Sequence, residues 1–217
     1  MNRQQHTGQP TDRIVVLMDS NKKNIDFHKL FNQPVTVVPC PTVAWAHRAI
    51  QRGLGKPAKV IIHIGTNDLD SVTPLSYADD MISLAEQINI NYKCPVIILE
   101  VLVRRPNSYG ISLNDKVDAA NELLRGSRFS TISHSDVHEE HLYDEKHLNR
   151  NTRGNQHLAG SQIFAKNLYK ALYESSPSMQ RLEDCIIFPE HREGTNSSRS
   201  HNKRWNDINS PTLSSWV

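Results

Sequence analysis

Asp144-Glu145-Lys146-His147 is the segment of this chain with the most chemistry in it. An aspartate three residues ahead of a histidine, on a turn or the first turn of a helix, can hydrogen-bond the imidazole. That bond fixes the tautomer and stabilises the imidazolium formed when the ring takes up a proton. Two upstream segments supply what such a base would serve. Asp19-Ser20-Asn21 offers a hydroxyl nucleophile, and Gly65-Thr66-Asn67-Asp68 offers a carboxamide able to donate to a developing oxyanion. Each segment also has a plainer reading. Ser, Asp and Asn are the preferred helix caps, and Gly, Asn and Asp dominate turns for conformational reasons. The three in this order point to a serine esterase with Ser20, His147 and Asp144 in its catalytic group.

A rival chemistry is metal binding, since His134, His138 and His141 lie close to Asp136, Glu139 and Glu140. The His138-Glu-Glu-His141 run is one residue short of the zinc-protease helix motif, and no cysteine is near. Those histidines read as residues of a solvated loop, and neither metal nor organic cofactor is expected.

The elements that must position these groups show in the apolar pattern. Short β-branched runs at Ile14–Met18, Val35–Val38, Val60–Ile64, Val96–Val103 and Phe129–Ile132 suit strands buried on both faces. Between and after them lie amphipathic segments at Val43–Arg52, Leu75–Ile90, Leu113–Leu124 and His157–Tyr173, and Asn24–Phe31 suits a further short helix. Strand and helix alternating in this way predict a parallel sheet with helices on both faces. In such a sheet ligands sit beyond the carboxyl ends of the strands. Ser20 and Asn67 both fall there, and Gly65 permits a sharp exit from the third strand.

The chain has 217 residues, which fits one domain with a full core. We place that domain at residues 13–174, after a polar disordered lead-in at 1–12. Residues 175–217 form a Ser/Asn/Arg-rich disordered tail with five basic and five acidic residues. The net charge of +2 is too mild to indicate a nucleic-acid-binding domain. A small cluster at Arg199–Arg204 beside Trp205 leaves nucleic acid as a weak candidate partner. Three widely spaced cysteines make no disulfide framework. With no secretory signal and no apolar run long enough to span a bilayer, an intracellular location, cytoplasmic or nuclear, is expected. Oligomeric state is not legible.

Taken together, Asp19-Ser20, Gly65-Thr66-Asn67-Asp68 and Asp144-Glu145-Lys146-His147-Leu148-Asn149 resemble the sequence blocks of the SGNH (GDSL-type) hydrolases. The resemblance covers residues 13 to about 174. It implies a three-layer α/β/α sandwich around a mostly parallel five-stranded sheet, flavodoxin-like. It also implies a serine hydrolase acting on small-molecule or lipid acyl esters, with Ser20 as nucleophile, His147 as base and Asp144 as its orienter. The implied oxyanion donors are the Ser20 N–H, the Asn67 side chain and a backbone N–H of the second block, at Cys40 or Thr42. Asp19-Ser20-Asn21-Lys22, Leu30-Phe31 and Cys40-Pro41-Thr42 look like the esterase domains in the first open reading frame of LINE-type retrotransposons. Met18 stands where the family has glycine. The second-block glycine is absent, and Pro41 there has no N–H. On those departures rests the alternative, a catalytically inactive binding or scaffold module.

Overall fold

In a computed structural model of the chain, residues 13–107, 109–110, 112–150 and 158–173 are described. The expected lead-in, the tail, Cys185, the Arg199–Arg204 cluster and Trp205 lie outside them.

Five parallel strands make one sheet: β1 (Ile14–Met18), β2 (Val35–Pro39), β3 (Lys59–His63), β4 (Val96–Leu99) and β5 (Ser130–Ile132). Their spatial order is β2-β1-β3-β4-β5, the flavodoxin-like order. Central β1 is buried along its whole length, with Met18 level with Pro39 on one side and His63 on the other. The chain reverses direction of sheet growth between β1 and β3, and this opens a crevice at their carboxyl ends.

Alternation along the strands feeds two cores. Val15, Leu17, Val60 and Ile62 face α2 (Val43–Arg52), α3 (Pro74–Tyr92) and α4 (Asn114–Arg125). Ile14, Val16, Met18 and Ile61 face α1 (Phe27–Leu30) and α5 (Gly160–Tyr173). The architecture is the expected α/β/α sandwich. Helix ends follow local chemistry: the Thr42 and Thr73 hydroxyls accept the N–H groups of Trp45 and Ser76, and Pro74 opens the first turn of α3.

One strand is shorter than its apolar run. Val96–Val103 reads as a single strand, yet β4 stops at Leu99. Beyond it, the Asn121 side chain accepts the Val101 N–H at 2.8 Å and donates to the Val101 carbonyl at 2.9 Å. A buried side-chain amide thus takes the place of a neighbouring strand, and the chain is free to turn away as a loop. Among the described residues, no helix is long and apolar enough to cross a membrane.

The solvated-loop reading of the histidines is corrected here. His141 is buried, and His134 is 5% exposed, its ring stacked on Phe164 with centroids 4.3 Å apart. His63 is 1% exposed and meets the same Phe164 ring edge-on. The periodicity of a loop does not report burial, and these rings are sandwiched between β3 and α5. Desolvation lowers the pKa of His63, and desolvation with His63 as neighbour drives that of His134 well below its ordinary value. Both are neutral in the fold and free to protonate only on unfolding. Stability is then fully present above the unfolded histidine pKa of about 6.5 and declines as pH falls below it. Urea midpoints are expected to drop between pH 7.5 and 5, and to drop less in His134→Phe, which keeps the stack. Equal slopes for both proteins would remove His134 from the effect.

Candidate active site

Ser20 follows β1 directly. Asp19 ends the strand, and its Oδ1 accepts the Asn21 N–H at 2.9 Å, capping a 3-10 turn over Ser20–Asn24. Capping and chemistry are therefore not alternatives here, because the Asp19 cap sets the turn that presents Ser20. Met18 is fully buried among the residues facing α1 and α5, so its bulk is taken up by the core.

His147 reaches the same place from the other end of the domain. Residues 142–148 form a tight loop closed by a bridge between Leu142 and Leu148 and by the Tyr143 N–H donating to the His147 carbonyl at 2.9 Å. Inside the loop, Asp144 Oδ1 accepts the backbone N–H groups of Lys146 (2.9 Å) and His147 (2.8 Å), while Oδ2 meets His147 Nδ1 at 2.7 Å. The three-residue spacing works because one carboxylate binds both the backbone and the ring of its target. Burial raises the Asp144 carboxyl, but the Lys146 N–H, the His147 ring and the His147 N–H outweigh it and hold the pKa below its ordinary value. Asp144 is a carboxylate, so Nδ1 carries the proton and Nε2 is left as the acceptor. That Nε2 lies 2.6 Å from Ser20 Oγ. The Tyr143 ring stacks on the His147 ring with centroids 5.6 Å apart.

Asn67 exits β3 through Gly65, whose φ is +131°. A Cβ there would collide with the buried Tyr77 hydroxyl, which donates to the Ile64 carbonyl at 2.7 Å, so only glycine fits. Asn67 Nδ2 donates to the Pro41 carbonyl at 2.9 Å, and Oδ1 accepts from Lys146 Nζ at 3.0 Å. A carbonyl accepts only from nitrogen and an ammonium donates only to oxygen, so the amide orientation is unambiguous. One Asn67 N–H remains uncommitted. Pro41, which has no N–H to give, serves here through its carbonyl.

The Cys40 N–H does not face the site as expected. The β2 ladder runs one residue further than the strand, and this N–H donates to the Met18 carbonyl at 2.8 Å. The Cys40 side chain is buried, which pushes its thiol up to about 11. The Thr42 N–H, at the start of α2, is not committed to the sheet. Asp68 joins the second and third blocks by accepting the Val43 N–H on Oδ1 at 3.2 Å, and burial raises its carboxyl.

Two residues unremarked in the sequence hold these loops together. Asn21, 1% exposed, accepts the Leu148 N–H at 3.0 Å and donates to the Lys146 carbonyl at 3.4 Å. Lys146, an unspecified position of the Asp-x-x-His block, reaches Asn67 and also lies 3.7 Å from Asp70 Oδ2. Asp70 is bound in turn by buried Arg104 at 2.5 Å, which also donates to the Thr66 carbonyl. These partners are 79 to 127 positions apart, beyond any spacing rule.

No protein-family profile matches the sequence, and no curated protein aligns with it. Solved structures do share its fold. A GDSL-like lipase from Bacteroides thetaiotaomicron superposes with a TM-score of 0.59 at 16% identity, over 76% of this chain and 90% of that one. A member of the lipolytic G-D-S-L family from Veillonella parvula gives 0.55 at 15%, over 73% and 96%. A carbohydrate acetylesterase from Sinorhizobium meliloti gives 0.55 at 14%, over 74% and 99%. At such identities the likeness establishes the fold, that of the GDSL-type hydrolases.

Asn21→Ala is expected to release the bracket on the histidine loop. The Leu148 amide should lose protection in hydrogen exchange, and stability should fall by about 1–3 kcal/mol as buried groups lose their partner. An unchanged Leu148 exchange rate would show that the loop is held by other contacts.

Proposed function

We propose that this chain is a serine esterase that hydrolyses carboxylic esters, acyl or acetyl, through an acyl-enzyme on Ser20. The reading is carried by one observation, the unbroken line from Ser20 Oγ through His147 to Asp144 Oδ2, with links of 2.6 and 2.7 Å. It is supported by a fold otherwise found in lipolytic enzymes and esterases.

His147 Nε2 takes the Ser20 proton as Oγ attacks the ester carbonyl. Asp144, already a carboxylate, stabilises the imidazolium. The tetrahedral charge is met by the Ser20 N–H, by the Asn67 N–H left free by Pro41 and Lys146, and by the Thr42 N–H in the place expected for Cys40. His147 then protonates the departing alkoxide. In the second half a water attacks the acyl group with His147 again as base, and Ser20 is restored. Lys146 acts through Asn67: by holding Oδ1 it points the amide N–H groups towards Pro41 and the site. The likeness of Asp19–Lys22, Leu30-Phe31 and Cys40–Thr42 to LINE-type esterase domains supports a retroelement-derived protein as the setting for this activity.

Purified protein should hydrolyse p-nitrophenyl acetate and be labelled at Ser20 by a fluorophosphonate. Ser20→Ala and His147→Ala should abolish turnover, and Asn67→Ala should cost about 10²–10³ in kcat. Lys146→Met should lower kcat by less, with KM little changed. A folded wild-type protein inert towards both reagents would assign the chain to the inactive binding-module alternative.

A further inference from the structure

A second site stands apart from Ser20, at the exposed edge of the sheet. A cavity of about 510 Å³ lies along β2 and under α2, with Thr36 and Val38 in its floor and Arg13, Trp45, Arg48 and Arg52 in its walls. The size falls within the ~300–1,000 Å³ of small-ligand sites. Its charge is unusual. No acidic residue lines the cavity, and none of its three arginines forms an ion pair among the described residues. Arg13 is anchored by donating from Nη2 to the Leu54 carbonyl at 2.6 Å, and its Nε is buried with no hydrogen-bond partner. Three guanidinium groups gathered without a counter-charge repel one another, and an anion is the group that would relieve them.

The fourth wall narrows the class of anion. Trp45 is 47% exposed, although an indole of this size is ordinarily drawn into a core. It is held at the rim instead, with the Arg48 guanidinium over its ring, 5.5 Å from the centroid. A flat π-surface beside unpaired arginines matches a ligand with a planar ring at one end and a phosphate at the other. A bare phosphate would use the arginines and leave the indole idle. An anionic lipid would use them too, but it brings no planar group.

We propose that this cavity binds a nucleotide, free or as one residue of a single strand, with its phosphate on Arg13 and Arg52 and its base against the Trp45–Arg48 pair. The site is separate from the ester chemistry, and none of its lining residues belongs to the catalytic group.

The test uses the full chain and a fluorescein-labelled ten-nucleotide single-stranded RNA, read by anisotropy. Competition with AMP and co-sedimentation with phosphatidylserine vesicles are run beside it. Arg48 and Arg52 are exposed on α2, so Arg48→Gln/Arg52→Gln should keep the fold, checked by thermal melting. That double variant should weaken RNA binding at least tenfold. It should also make the log–log salt dependence shallower by about 1.4, two contacts at ~0.7 each. Trp45→Ala should weaken binding about tenfold, and Ser20→Ala should leave it unchanged. Displacement by AMP would identify a free nucleotide as sufficient, and displacement by unlabelled RNA alone would identify a strand residue; either agrees with the proposal. Wild-type affinity in both the double variant and Trp45→Ala would overturn it. So would an arginine effect with no Trp45 effect, which marks a plain phosphate site, or a loss confined to vesicle binding.

Discussion

The structure depends on a bracket made by one buried amide. Asn21 follows the proposed nucleophile and binds the backbone on both sides of His147, at the Lys146 carbonyl and the Leu148 N–H. A proton moves between Ser20 and His147 only if Oγ and Nε2 stay within hydrogen-bond reach, and these atoms belong to loops 127 positions apart. Side-chain contact alone would leave the histidine loop to drift. Asn21 ties backbone to backbone through a rigid group buried in the domain, where water cannot compete for its hydrogen bonds. Its amide orientation is fixed by the same logic as that of Asn67, since a carbonyl takes only a donor and an N–H only an acceptor.

Around that bracket the loops brace one another in turn. Asp144 folds the histidine loop onto itself, Lys146 carries the connection to Asn67, and Asn67 carries it to Pro41. Asp68 then secures the first turn of α2. The Arg105 N–H donates to the Glu145 carbonyl, so the loop leaving β4 also supports the histidine loop. At the far side, Asn149 Oδ1 accepts the Gly160 N–H at 2.6 Å and fixes where α5 begins. Gly160 must be glycine there, because a Cβ would strike the His141 carbonyl. Almost every link uses a backbone group, and that makes the arrangement insensitive to many side-chain changes nearby. This accounts for how Met18 and Pro41 are accommodated: one fills core space, and the other contributes a carbonyl rather than an N–H.

The sheet sets the frame in which these loops meet. Parallel strands deliver their carboxyl ends to a single edge, and the reversal of order between β1 and β3 leaves a crevice there. The same topology leaves β2 at an edge, where the arginine-lined cavity forms under α2. Two places of different chemistry thus arise from one architectural fact, that α2 must cross from the end of β2 back to the start of β3.

The sequence by itself determined the alternation of strands and helices, because burial on both faces imposes apolar runs and an amphipathic helix imposes its own period. It also determined the internal chemistry of Asp144 and His147, since three residues on a turn suffice to bring carboxylate, backbone N–H and ring together. Ser20, His147 and Asn67 were legible as types at strand ends but not as neighbours. Only the tertiary structure decided their meeting, the use of Asn21 and Lys146 as ties, and the diversion of the Cys40 N–H into the sheet. It alone ended β4 at Leu99 and enclosed His63 and His134. Each of these depends on partners far along the chain, and local pattern carries no information about which distant group a polar atom will find once water is excluded.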